Sequence, residues 1–102
     1  MGIEVVVEDE RGTKSASIED PANILHRALP RHDGASCQLL NRVEWYGDTT
    51  FNRNQIPDVR QELRRLAKAG RSVEEVDLIR QLDSLAERAE AEPHLYLKFY
   101  GD

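Results

Sequence analysis

Cysteine is nearly absent from this chain of 102 residues; Cys37 is the only one. No intramolecular disulfide can form, so nothing requires an oxidising compartment. Histidine is scarce too. His26, His32 and His94 fall on three separate segments, without the HxxxH spacing of a metal site. Cys37 shares its parity with apolar neighbours and reads as a small buried thiol rather than a nucleophile. No apolar run approaches the ~20 residues that span a bilayer. The start, Met1-Gly2-Ile3-Glu4, lacks the charged-then-apolar order of a signal peptide. The expected location is cytoplasmic, with no membrane partner. Basic residues are outnumbered, 14 Lys and Arg against 19 Asp and Glu, for a net charge of -5. Nucleic acid is therefore not an expected partner, because phosphate binding needs clustered Lys and Arg. Neither GxGxxG nor GxxxxGK(S/T) occurs, and no dense Asp/Asn/Gly loop offers cation ligands. No catalytic residue, cofactor or metal is assigned on these grounds, and the balance leans away from an enzyme.

What is present is a globular mixture, 39% hydrophobic and 32% charged, of single-domain length. Ile3 to Glu8 contains Val5, Val6 and Val7, a β-branched run that predicts a strand. Asp9-Glu10-Arg11-Gly12 suits a turn, and Lys14 to Ile18 a return strand. Asp20-Pro21 followed by Ile24, Leu25, Ala28 and Leu29 predicts a short helix ending at Pro30. Cys37 to Tyr46 is read as a strand ended by Gly47-Asp48, because Cys37, Leu39, Val43 and Trp45 share one parity, although Leu40 breaks it. Thr49 to Phe51 forms a further short strand candidate.

The clearest pattern is an antiparallel two-helix hairpin over about 57–91. Ile56, Val59, Leu63 and Leu66 mark one helix face, with Gly70 as its cap. Ser72-Val73-Glu74-Glu75 has the form of a capping box. Leu78, Leu82, Leu85 and Ala89 then form a second stripe, widened by Val76, Ile79 and Ala86. From 58 to 71 the sequence carries five basic and two acidic residues, and from 72 to 92 two basic and seven acidic. Opposed charge of this kind predicts attraction across the hairpin. Arg60, Arg64, Lys68 and Arg71 make a basic stripe on the first helix, read as a solvated face. Finally, Leu95, Leu97 and Phe99 alternate with polar positions from His94 to Tyr100, predicting a half-buried strand. The expected fold is one α+β domain over 1–102. A small antiparallel or mixed sheet of about four strands carries the hairpin on one face, with one short extra helix.

One near-repeat stands out. Val43-Glu44-Trp45-Tyr46-Gly47-Asp48 parallels Leu97-Lys98-Phe99-Tyr100-Gly101-Asp102. If the two Gly-Asp segments meet at one edge of the sheet, Trp45, Tyr46, Asp48, Tyr100 and Asp102 form a candidate partner-binding surface, with Asn52 and Arg53 nearby. The stretch Trp45 to Asn52 and the ending Glu92 to Asp102 also resemble a family of short bacterial proteins, marked by YGDTxFN-like and EPHxYLxFxGD-like segments. That resemblance covers most of the chain and implies a bacterial, cytoplasmic single domain. It carries no established activity and no catalytic residue. Three readings stay open. The first is a non-enzymatic protein-binding module, with an immunity-type protein that neutralises a toxin as one form. The second is a small enzyme with Asp48 or Asp102 as general base, and the third is a homo-oligomer paired through an edge strand.

Overall fold

A computed structural model describes residues 3–19, 39–43, 47–68, 72–92 and 94–101. The expected short helix at 20–30 and the Gly70 cap lie outside these residues. The fold is α+β. Strands β1 (Glu4–Asp9), β2 (Lys14–Glu19), β3 (Asp48–Phe51) and β4 (Leu95–Tyr100) form an antiparallel sheet in the order β2-β1-β4-β3. Helices α1 (Ile56–Ala67) and α2 (Val73–Glu90) make the hairpin, within a residue of its expected span.

The β1–β2 hairpin turns where the sequence places it. Asp9 Oδ1 accepts the N–H groups of Arg11 and Thr13, both at 2.9 Å, and the Asp9 carbonyl accepts Gly12 N–H at 3.0 Å. Gly12 sits at φ +83°, the left-handed conformation that closes a three-residue hairpin loop. More than any other influence, the Thr13 hydrogen bond holds the Asp9 carboxyl below its ordinary range. Beyond the turn, Glu8 faces Lys14 and Val7 faces Ala16, so Ser15 is an extra residue in β2. This bulge brings Lys14 to the face carrying Glu4, whose Oε2 lies 3.1 Å from Lys14 Nζ.

Alternation sorts the sheet into two faces. Val5, Val7, Phe51, Leu95, Leu97 and Phe99 point to the helices and enter the core with Ile56, Val59, Leu63, Ile79, Leu82 and Ala86. The Phe51 and Phe99 rings meet edge to face at 5.8 Å. Helix α2 lies across β1, β4 and β2 and packs along α1. Its start carries the full capping box: Ser72 Oγ accepts Glu75 N–H at 3.2 Å, and Glu75 Oε1 accepts Ser72 N–H at 3.2 Å. All four stripe residues of α1 are buried, as are Leu78, Leu82, Leu85 and Ala89 of α2.

The charges across the hairpin pair as their signs require. Arg60 of α1 donates from Nε to Asp83 at 2.9 Å and from Nη1 to Glu90 at 2.9 Å, and reaches Glu87 at 3.4 Å. Its side chain is 15% exposed. These hydrogen bonds, Asp83 first, raise the guanidinium further above its ordinary value. Arg64 lies 3.8 Å from Asp83. The basic stripe is therefore not one solvated face, since Arg60 turns into the helix interface. Arg71 lies outside the described residues.

The expected strand at 37–46 is not found over 39–43. Leu40–Arg42 instead form a 3-10 turn, and Leu40 and Val43, three residues apart, are both buried. Spacing by three is the period of that turn, and it explains why Leu40 broke the two-residue alternation. The turn is held from α1. Glu62, 5% exposed, accepts Leu39 N–H at 3.1 Å and Leu40 N–H at 2.9 Å through its two carboxylate oxygens.

Glu62→Ala is expected to cost about 1–3 kcal/mol by leaving two amides without acceptors, and Glu62→Gln less, since one acceptor oxygen remains. Urea unfolding of both variants checks the order. Arg60→Met is expected to cost about 2 kcal/mol, because it strands two partly buried carboxylates. An unchanged denaturation midpoint for Arg60→Met would show that the clamp contributes nothing.

Candidate functional site

The two Gly-Asp segments do meet. Gly101 N–H donates to the Gly47 carbonyl at 2.8 Å, and Asp48 stands opposite Tyr100 in the β3–β4 register. Asp48 opens β3 rather than closing an earlier strand. The near-repeat thus joins the start of one strand to the end of its antiparallel neighbour. Asp48 is exposed and Tyr100 half-buried. Trp45, Tyr46 and Asp102 lie outside the described residues.

Asn52 and Arg53 sit at the other end of β3, about 13 Å from Asp48 at the usual strand rise. Asn52 is occupied in forming the start of α1. Its Oδ1 accepts Asn54 N–H at 3.0 Å and Gln55 N–H at 3.1 Å, and its carbonyl accepts Ile56 N–H at 3.1 Å. Arg53 is exposed in that turn. Of the other residues weighed, His94 is exposed in the turn before β4, its Nε2 3.4 Å from Glu92. Cys37, His26 and His32 lie outside the described residues.

The outer sheet face, opposite the helices, holds a cluster that the sequence did not single out. Glu8 of β1 is 3% exposed. Its Oε1 accepts Lys98 Nζ at 2.8 Å and also accepts the Tyr100 hydroxyl. The register explains how. Tyr100 stands opposite Glu4 and Lys98 opposite Val6, so the Tyr100 ring must lean along the sheet over the Val6 level to reach Glu8. Val6 is fully buried there although it points away from the main core. Burial alone would raise the Glu8 carboxyl. The Lys98 and Tyr100 hydrogen bonds, with the Lys98 charge, outweigh it and hold the group below its ordinary value. The hydrogen bond to Glu8 raises both Lys98 and Tyr100 in turn.

Beside this cluster is a shallow cleft of about 230 Å³ lined by Glu10, Thr50, Tyr96 and Lys98. Thr50 and Glu10 are exposed and Tyr96 is half-buried. Asp48 does not line it. Among the described residues, no group of three His, Cys, Asp or Glu side chains is placed to hold a metal, and no helix is long and apolar enough to cross a membrane. Chemically, the face offers two tyrosines, a fixed ammonium and exposed carboxylates. Glu8 is poorly suited to act as a base, because its anion is stabilised from two sides.

Glu8 gives up its proton more readily folded than unfolded, where its value is near 4.5. Its contribution to stability is full above that value and is lost as the pH falls through the lower folded one. Lys98 and Tyr100 hold their protons more tightly folded. Their contribution is full below 10.5 and 10.0 and is lost as the pH rises through the folded values. Glu8→Gln is therefore expected to cost about 2 kcal/mol near neutral pH. The gap to the wild type closes below pH 4.5 and again above pH 10.0. Thermal melts across that range check it; a gap independent of pH would refute the charged triad.

No family model matches the chain, and no curated protein or solved structure shows significant similarity to it.

Proposed function

We propose that this chain is a non-enzymatic protein-binding module whose contact surface is the outer sheet face around Tyr96, Lys98 and Tyr100. The observation that carries this reading is the Glu8 cluster. It fixes an aromatic and a cationic side chain in one arrangement beside a cleft, so little side-chain freedom remains to be lost on binding. Tyrosine is also the residue type that contributes most at contact surfaces, joining an apolar ring to a polar tip. Exposed Asp48, Thr50 and Glu10 border the tyrosines and supply the polar rim that such surfaces carry.

An immunity-type protein, binding and silencing a toxin, is the specific form of this reading. The enzymatic alternative draws less support. Among the described residues the cleft is walled by one carboxylate, Glu10, whereas glycoside hydrolysis uses two at a set separation, and Asp48, the candidate base, does not line it.

The test is affinity capture of the full chain from its native host at low and high salt, alongside Thr50→Arg and Tyr96→Ala. The expected result is a stoichiometric partner with the wild type, weakened at least tenfold by either variant. Recovery of the chain alone under both conditions would count against the reading. So would a partner that both variants retain. A mass equal to two copies by light scattering, with no other protein present, would replace it with self-association.

A further inference from the structure

A second site lies on the opposite side of the molecule, in the groove between the two helices near their connection. It encloses about 310 Å³, at the small end of the range of about 300–1,000 Å³ typical of ligand pockets. Leu63, Ala67 and Ile79 form its floor. Arg64 of α1 and Lys68, the residue that caps its C-terminal end, face Arg80 of α2 across it, and Asp83 closes one end.

The charge balance of this groove runs against that of the chain. The protein carries five more acidic than basic residues, and α2 is its most acidic element. Yet the acids of α2 that face α1, Asp83, Glu87 and Glu90, are drawn to Arg60, further along the hairpin. Asp83, the one acid among the described residues that line the groove, is held by Arg60 at 2.9 Å, while Arg64 remains 3.8 Å away. Lys68 and Arg80 have no ion-pair partner among the described residues. Among the described residues, Lys68 and Arg80 thus flank a small apolar floor with no carboxylate paired to them, and Arg64 has Asp83 only at 3.8 Å. The guanidinium groups can fork onto a carboxylate or phosphate and stack on a flat ring, and the aliphatic stems of all three side chains extend the apolar wall.

We propose that this groove binds a compact organic anion, a carboxylate or phosphate ester on a small apolar or aromatic body, with Arg64, Lys68 and Arg80 holding the charged head. The body rests on Ala67 and the side-chain stems. The site is separate from the outer sheet face and stands or falls without it.

The experiment is an NMR titration of the isotopically labelled full chain with benzoate, phenyl phosphate, benzyl alcohol and inorganic phosphate in parallel. Saturable shifts centred on the amides of Leu63, Ala67, Ile79 and Arg80 are expected with benzoate or phenyl phosphate, and the tighter of the two identifies the head group. Benzyl alcohol and inorganic phosphate should each bind at least tenfold more weakly, and the exposed double variant Lys68→Gln/Arg80→Gln should lose at least tenfold in affinity for the better ligand. Equal binding of benzyl alcohol would overturn the role of the cations, and equal binding of inorganic phosphate the role of the apolar body. Shifts centred elsewhere, no saturable shift for either aromatic anion up to about 10 mM, where binding would be weaker than about -3 kcal/mol, or an unaffected double variant would overturn the site.

Discussion

The pairing of β1 with β4 is the interaction on which the rest of the fold depends. These inner strands pair over six residues each, from Glu4 opposite Tyr100 to Asp9 opposite Leu95. Among the described residues, strand β2 attaches to the sheet only through β1, and β3 only through β4. Helix α2 needs both inner strands at once, since its apolar stripe lies across Val5 and Val7 on one and Leu95, Leu97 and Phe99 on the other. Joining segments so far apart in sequence carries a loop-closure cost that grows only slowly with separation. Burying those side chains, at about 1.5–3 kcal/mol each, offsets it. The Glu8 cluster adds a polar fastening to the same pair from the opposite side, because Glu8 belongs to β1 while Lys98 and Tyr100 belong to β4.

The acidic excess of the chain is partly structural. Three groups of carboxylates each serve a different junction. Glu8 ties the inner strands, Glu62 ties the turn at Leu40–Arg42 to α1, and Asp83, Glu87 and Glu90 gather on Arg60 to tie the helices. Each set is matched by donors held in place by backbone geometry or by packing, which is the condition under which a partly buried charge is tolerated. The exposed acids, Asp48, Glu10 and Glu19 among them, are left for the surface.

The parts legible in the sequence were those set by local rules. The helical hairpin follows from apolar steps of three and four and from a capping box whose partners are three residues apart. The strands at Val5–Val7 and Leu95–Phe99 follow from β-branched content and from alternation. The turn at 40–42 was misread because two-residue parity was sought where a three-residue period holds, and the acceptors that make the turn possible come from Glu62, 22 residues away. Glu62 stands between Val59 and Leu66 on the buried stripe, and that place is the local signal of its burial. The Glu8 cluster could not be read without the β1–β4 register, which no local pattern supplies. Whether the Gly-Asp segments meet depends on the β3–β4 register and is not fixed by the near-repeat itself; Asn52 and Arg53 adjoin it in sequence, but a strand of four residues carries them to its far end.

The Glu62 bridge has a consequence for how the protein opens. A three-residue 3-10 turn has little stability of its own and would ordinarily fray independently of its surroundings. Here its first amides have their acceptors on a helix side chain, so the turn cannot loosen without stranding a carboxylate, and α1 cannot unwind at Glu62 without releasing the turn. The loop segment and the helix thereby belong to one cooperative unit, and a fluctuation that begins in either is felt in both.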